Sequence, residues 1–218
     1  MYSVVIAAGG SGVRTGLSER KIWYPIHDQP VIEHTVRAFE ADLDCEQIVI
    51  AAHQDDVERL HTHFKHRATI VEGGLTRSDS VHAGLNVSSA PVVLIHDAAR
   101  PCLPLTALER LKKALTHYEA VTLAVEIVDT LKLITEDQQL KTVSREGLMA
   151  IQTPQAFQRE KLQRAYQRWL DAKKPAYPCD ASLYEAMLGE PVRVVVGART
   201  NIKFTTLDDV PLLKAVLS

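Results

Sequence analysis

Short apolar runs, each followed by a stretch with helical periodicity, recur along most of the chain, and this alternation restricts the fold more than any other feature. Residues 3–7, 47–52, 68–71, 91–95, 120–125 and 192–196 read as strands. Most lack strict polar–apolar alternation, as expected of strands covered on both faces. Residues 31–40, 55–64, 78–86 and 105–114 read as helices. The pattern predicts an α/β fold with a mostly parallel central sheet and helices on both faces, residues 91–95 being the central strand.

One region breaks the rhythm. Residues 129–134 and 140–143 alternate polar and apolar positions around the polar turn 135–139, which predicts a β-hairpin. A lone hairpin is marginal in water. An arm at about 127–146 therefore packs on its own sheet or reaches a second subunit. After Pro154 the chain reads as helical over 159–172 and 181–188, and it closes with a helix over 207–217. No repeat, linker or low-complexity tract interrupts it, so residues 1–218 are expected to form one domain carrying the arm.

Composition narrows the partners. Lys and Arg number 25 against 27 Asp and Glu, so the basic surplus of a general nucleic-acid binder is missing. No apolar run reaches the ~18 residues that suggest a membrane span. The N-terminal residues lack the basic start of a signal peptide. Cys45, Cys102 and Cys179 are too few and too scattered for a disulfide framework or a zinc spacing. A cytoplasmic protein without nucleic-acid or membrane partners is expected.

The first strand runs directly into Ala8-Gly9-Gly10-Ser11-Gly12-Val13-Arg14, with Lys21 seven residues on. Glycines there let backbone N–H groups surround an anion. The loop is neither a Walker A motif nor a complete G-x-G-x-x-G fingerprint. Two cations beside a phosphate cradle suit phosphoryl or nucleotidyl transfer, whose transition state spreads negative charge over phosphate oxygens. A tight strand-to-helix turn with solvated Arg14 and Lys21 is the competing account. Asp97, in His96-Asp97-Ala98-Ala99-Arg100-Pro101, follows the central strand, where open α/β sheets bind ligands. It could hold Mg²⁺ or simply pair with Arg100. Gly73-Gly74-Leu75-Thr76-Arg77-Ser78-Asp79-Ser80 is a second glycine loop, with Ser78 or Asp79 as candidate helix cap. Lys203 stands between apolar neighbours, a placement also open to an edge lysine on a short strand. His61, His63 and His66 do not share one helix face and read as solvated surface.

Taken in order, these stretches resemble one family. The first loop looks like the A-G-G/A-x-G-x-R signature of sugar nucleotidyltransferases. Gly73-Gly74-x-x-Arg77-x-x-Ser80-Val81-x-Ala83-Gly84-Leu85, His96 to Pro101, Asp129-Thr130-Leu131-Lys132, Gln152-Thr153-Pro154-Gln155-x-Phe157 and Asn201-Ile202-Lys203 are similar to the 2-C-methyl-D-erythritol 4-phosphate cytidylyltransferases. The resemblance covers nearly the whole chain in order and spacing.

It implies a Rossmann-like nucleotidyltransferase fold and cytidylyl transfer from CTP to a polyol phosphate, with Mg²⁺ or another divalent cation on the triphosphate. By the same resemblance Arg14 and Lys21 are catalytic. Ala8, Gly9, Gly10, Ser11, Gly12, Gly74, Arg77 and Ser80 line the nucleotide site. Asp97, Arg100, Thr130, Arg145 and Lys203 serve the acceptor, and Asp97 also faces the metal. The resemblance also implies a homodimer in which the arm, through Thr130 and Arg145, completes the partner's site. The chain departs from the family where P-K-Q-Y/F-L becomes Arg20-Lys21-Ile22-Trp23-Tyr24, and where T-D-D/E-A-S becomes Pro178-Cys179-Asp180-Ala181-Ser182. A ribitol 5-phosphate cytidylyltransferase and a non-catalytic CTP-binding homologue remain as alternatives.

Overall fold

Strand β1 (Tyr2–Ala8) sends alternate side chains to opposite faces, and this period of two divides the core. Tyr2, Val4, Ile6 and Ala8 enter one hydrophobic cluster and Val5 another. The computed structural model describes residues 1–10 and 19–218. A 3₁₀ turn at Lys21–Trp23 leads to the short antiparallel pair β2 (Pro25–Ile26) and β3 (Gln29–Pro30). Helix α1 (Val31–Glu40) follows, then β4 (Cys45–Ala52), a second 3₁₀ turn at Gln54–Asp56 and α2 (Val57–Phe64). Strand β5 (Thr69–Glu72), α3 (Arg77–Val87), β6 (Val92–Asp97) and α4 (Leu105–Leu115) continue the alternation.

Strand β7 (Ala120–Glu126) precedes the hairpin of β8 (Leu131–Ile134) and β9 (Leu140–Val143). Then come β10 (Met149–Gln158), α5 (Arg159–Asp171), α6 (Asp180–Leu188), β11 (Arg193–Val196) and α7 (Val210–Val216).

Seven strands form the main sheet in the order β11-β7-β10-β6-β1-β4-β5, which puts β6 at its centre as expected. All neighbours are parallel except β10, which runs antiparallel to both β6 and β7. The sequence reading missed β10. Its middle carries Gln152, Thr153 and Gln155, all buried, so its polarity conceals a core position. The ladder to β7 is interrupted between Ile151 and Gln155.

Apolar residues of α1, α2 and α4, such as Val36, Leu60 and Leu108, cover one face of the sheet. Val81 of α3, Leu162 and Trp169 of α5, and Leu183 of α6 cover the other. Helix α3 lies close to β1: a Cβ at Gly84 would stand 2.4 Å from Val5 Cγ1. A smaller cluster of Ile26, Val31, Cys102, Phe204 and Leu213 fastens the C-terminal segment. The β8–β9 hairpin pairs with no other strand among the described residues. Leu133, Ile134 and Leu140 are exposed on it. No helix among the described residues is long and apolar enough to cross a membrane.

Candidate active site

The parallel strands deliver their C-terminal ends to one cleft of about 770 Å³. Ala8, Gly9 and Gly10 arrive from β1, His53 and Gln54 from β4, Glu72 to Gly74 from β5, and Asp97 from β6. This is the crevice in which open α/β sheets bind ligands, and the volume lies within the usual range for small-molecule sites. Lys21, Arg77, Ser80 and Lys203 complete the expected residues that line it.

The glycine loops meet at Ser80. Its Oγ accepts a hydrogen bond from Gly74 N–H at 3.2 Å and donates to the Thr76 carbonyl at 3.0 Å. A Cβ at Gly9 would come within 2.7 Å of that Oγ, and one at Gly73 within 2.5 Å. The glycines are needed for this close approach. Thr76, rather than Ser78 or Asp79, caps α3. Its side chain accepts from Asp79 N–H while the Asp79 carboxylate accepts from Thr76 N–H. Asp79 is thus the N3 member of a capping box. The box places Arg77 in the first turn, beside the end of β6.

Arg77 Nε donates to Asp97 Oδ1 at 3.1 Å, and its Nη1 donates to Asp180 Oδ2 at 2.7 Å. Its buried Nη2 has no hydrogen-bond partner among the described residues. Arg77 as a whole lines the cleft, where a guanidinium is suited to a phosphate oxygen. Asp180 is 1% exposed and also accepts from Tyr166 Oη at 2.7 Å. Lys203 Nζ donates to Asp97 Oδ2 at 2.7 Å, and Arg100 Nε lies 3.7 Å from the same oxygen. Burial alone would raise the Asp97 pKa. The Arg77 and Lys203 charges, with Arg100, outweigh burial and hold the carboxyl well below the usual carboxylate range.

Behind Asp97 lies a neutral brace. Thr153 Oγ1 accepts from Asp97 N–H at 3.1 Å and lies 3.1 Å from His96 Nδ1. His96 Nε2 is 3.1 Å from the Arg100 carbonyl, which can only accept. The Nε2–H tautomer therefore follows, with the Thr153 hydroxyl donating to Nδ1. Burial lowers the His96 pKa to about 4. Between pH 6.5 and 4 the unfolded chain binds a proton at this residue that the folded chain refuses. Stability should be fully present above pH 6.5 and fall by roughly 3 kcal/mol as the pH drops to 4. Urea denaturation of wild type and His96→Gln across that range measures it. The variant should lose this part of the slope, and an unchanged slope would assign it to other groups.

Of the remaining expected residues, Arg100 does not line the cleft; its Nη1 donates to the Asn201 carbonyl at 2.7 Å. Thr130 and Arg145 are exposed on and beside the hairpin, outside the cleft lining, and the Arg145 guanidinium donates to the Val128 carbonyl. Ser11, Gly12 and Arg14 lie outside the described residues. Residues 201–203 form no strand; they are tied down by Asn201 Nδ2 donating to the Thr153 carbonyl at 2.7 Å. Pro178 is exposed and does not line the cleft.

His63 is also more than solvated surface. It lies 3.0 Å from Glu33 Oε2 and packs against Trp23 and Phe64. Sequence reasoning gave no role to Thr153, Asp180 or Tyr166. Asp180 is 103 residues from its Arg77 partner, and no spacing rule connects them.

Among the described residues no group of three or more His, Cys, Asp and Glu side chains could hold a metal ion. The cleft offers two carboxylates, Asp97 and Glu72, and both Asp97 oxygens face cations. This donor set fits a divalent ion carried in on a triphosphate, for which one or two protein carboxylates suffice. It does not fit an ion held by protein ligands alone.

Comparison with known proteins shows what the whole chain is similar to. Residues 2–218 match the family model described as IspD, 2-C-methyl-D-erythritol 4-phosphate cytidylyltransferase. A Bacillus pumilus protein of that name is 38% identical over 225 residues, covering 99% of this chain and 96% of its own length. One from Pelotomaculum thermopropionicum is 39% identical over 227 residues, covering 99% and 93%. Among solved structures, 4-diphosphocytidyl-2C-methyl-D-erythritol synthase from Anaerococcus prevotii is similar with a TM-score of 0.85 at 29% identity, covering 100% of this chain and 98% of that one. The Thermus thermophilus 2-C-methyl-D-erythritol 4-phosphate cytidylyltransferase gives 0.82 at 28% identity, covering 98% and 97%.

Proposed function

The chain belongs to the 2-C-methyl-D-erythritol 4-phosphate cytidylyltransferase family, and from that premise we propose how its own residues carry out cytidylyl transfer. The enzyme joins CTP to 2-C-methyl-D-erythritol 4-phosphate and releases pyrophosphate, a step of isoprenoid precursor synthesis. A phosphate oxygen of the acceptor forms a bond to the α-phosphorus of CTP. The bond from that phosphorus to the bridging oxygen breaks, and the electron pair leaves with pyrophosphate. An acceptor phosphate is already anionic, so the step needs positioning and charge stabilisation more than a base.

The observation that carries this reading is the Asp97 cluster beside two glycine loops. Backbone of Gly9, Gly10 and Gly74 borders the triphosphate with Arg77 nearby, Lys21 and Arg14 meet the charge that develops on the reacting phosphate, and Lys203 borders the acceptor. Mg²⁺ or another divalent cation, held by the triphosphate with Asp97 as protein ligand, would supply further charge neutralisation. Pyrophosphate release from CTP with a panel of polyol phosphates tests the assignment. The methylerythritol phosphate should support turnover and ribitol 5-phosphate should not. The reverse preference would move the enzyme to the ribitol reaction, and CTP binding without turnover would make the chain a binding protein.

We further place the enzyme in the cytoplasm as a homodimer joined through the β8–β9 arm. All three cysteines are free, as a reducing compartment would keep them. The arm has no strand partner among the described residues of its own chain, and its apolar side chains lie exposed. Thr130 and Arg145, absent from the cleft of their own chain, then complete the partner's acceptor site. Mixing Arg145→Ala with Lys21→Ala subunits should restore part of the activity that each homodimer lacks, since one hybrid site is intact. Absence of recovery, with subunit exchange demonstrated, would mean each site is built within one chain.

A further inference from the structure

The two side chains that flank Lys21 share a single anchor. Trp23 Nε1 donates to Asp56 Oδ1 at 2.9 Å. Arg20 Nε forms an ion pair with Asp56 Oδ2 at 2.6 Å, off the hydrogen-bonding direction. Positions 20 and 23, one before and two after the lysine, are therefore held by the two oxygens of one buried carboxylate.

The surroundings tighten this clamp. The Arg59 guanidinium lies 3.7 Å from the Trp23 ring centroid, and His63 meets the same ring edge-on at 5.8 Å. Arg20 Nη2 is 2.8 Å from His53 Nδ1 and pairs with Asp55. Between the clamped residues the backbone closes a 3₁₀ turn, with Trp23 N–H donating to the Arg20 carbonyl at 3.0 Å and Tyr24 N–H to the Lys21 carbonyl at 3.1 Å. Arg20 has φ −63°, the value a proline ring would impose, here kept by contacts instead of a ring. From this turn Lys21, which lines the cleft, donates with Nζ to the Phe204 carbonyl at 3.0 Å.

The geometry points to Asp56 as the positioning residue for Lys21, gripping Arg20 and Trp23 together so that the turn presents the ammonium at one place. This rests on the catalytic reading of Lys21. A lysine side chain carries its charge on a flexible four-carbon stem with much rotamer entropy. Its charge helps a transition state only if it is already in place when charge develops. Asp56 itself does not line the cleft, whereas His53 and Gln54 just before it do. The same 3₁₀ turn, Gln54–Asp56, thus sets the cleft wall and the lysine's anchor together. The departures at residues 20 and 23 from the family's usual wording supply both side chains of the clamp.

The test is a pair of cycles on the full-length enzyme. Asp56→Ala should lower kcat by about tenfold to a hundredfold, with the KM for CTP nearly unchanged, as misplacing a catalytic group does. In the Lys21→Ala background the same substitution should cost little more, because the group it positions is gone. Arg20→Pro should keep more turnover than Arg20→Ala, since the ring restores the backbone constraint. If Asp56→Ala does not fold, Trp23→Phe, which removes only the indole donor to Asp56, takes its place in the cycle. Equal losses in both backgrounds would overturn the proposal while leaving Lys21 catalytic. Full turnover by Lys21→Ala alone would overturn the catalytic reading itself, and this proposal with it.

Discussion

Replacing Lys21 by alanine is expected to lower kcat for cytidylyl transfer by about 10²–10³ while leaving the KM for CTP near its wild-type value. The lysine lines the cleft with Gly9 and Gly10, and in the proposed reading the glycine backbone borders the phosphates already in the ground state. Its charge is therefore most useful when the α-phosphorus becomes five-coordinate and its oxygens gain charge. Losing one well-placed donor of that kind costs about 3–4 kcal/mol of transition-state stabilisation. Steady-state kinetics over a CTP series, with a melting curve as a control for folding, reads the split. A raised KM with full kcat would make Lys21 a ground-state phosphate binder.

Asp97→Asn should be the second large effect, and it should act on stability as well as turnover. Asp97 is 8% exposed and faces Arg77, Lys203 and Arg100. Asparagine keeps the shape and removes the one negative charge that all three cations face. Breaking a fully buried pair costs about 3–5 kcal/mol. The Arg77 and Lys203 side chains are 31% and 37% exposed, which screens part of this. A loss of about 2–3 kcal/mol, or roughly 4–12 °C in Tm for a chain of this size, is the expected result. Adding Lys203→Met to the variant should cost less than Lys203→Met alone, because the ion pair is already absent. A variant melting within a degree of wild type would show that the three cations do not depend on this carboxylate. Since its pKa lies well below the usual range, the Asp97 contribution is fully present above about pH 4. It is lost only as the pH falls through the folded value.

The parts of the fold that could be read beforehand are those in which polarity reports burial. Strands β1, β4 and β6 are apolar because helices cover both faces, and α1 begins and ends where its periodicity does. The β8–β9 hairpin was equally legible from its alternation. Strand β10 was hidden because its central side chains are used as fasteners. Gln152 Nε2 donates to the Ala198 carbonyl, Thr153 braces Asp97, and Gln155 Oε1 accepts from Ala181 N–H at the start of α6. Each is a polar residue in a core position with a distant partner, and hydropathy reads such a strand as a loop. The glycine loops, Lys21, Asp97 and Lys203 were visible as motifs. Tyr166 and Asp56 were not, and Asp180 stood in a motif that gave it no role, because each acts through another side chain with no local spacing to mark the pairing.

The interruption of β10 also bears on how freely the hairpin can be altered. Met149 to Ile151 pair with β7 alone, whereas Gln155 to Phe157 lie between β7 and β6. The three residues between them sit outside the β7 register, and two of these, Gln152 and Thr153, hold the site segments. Length changes in the hairpin therefore end at a break in the ladder before they reach those fasteners. A hairpin from another protein, longer or shorter, could be grafted between β7 and Met149 with Thr153 still in place behind Asp97. The Asp97 brace is in this respect insulated from changes in the hairpin, whose Thr130 and Arg145 the proposed dimer assigns to the partner's site.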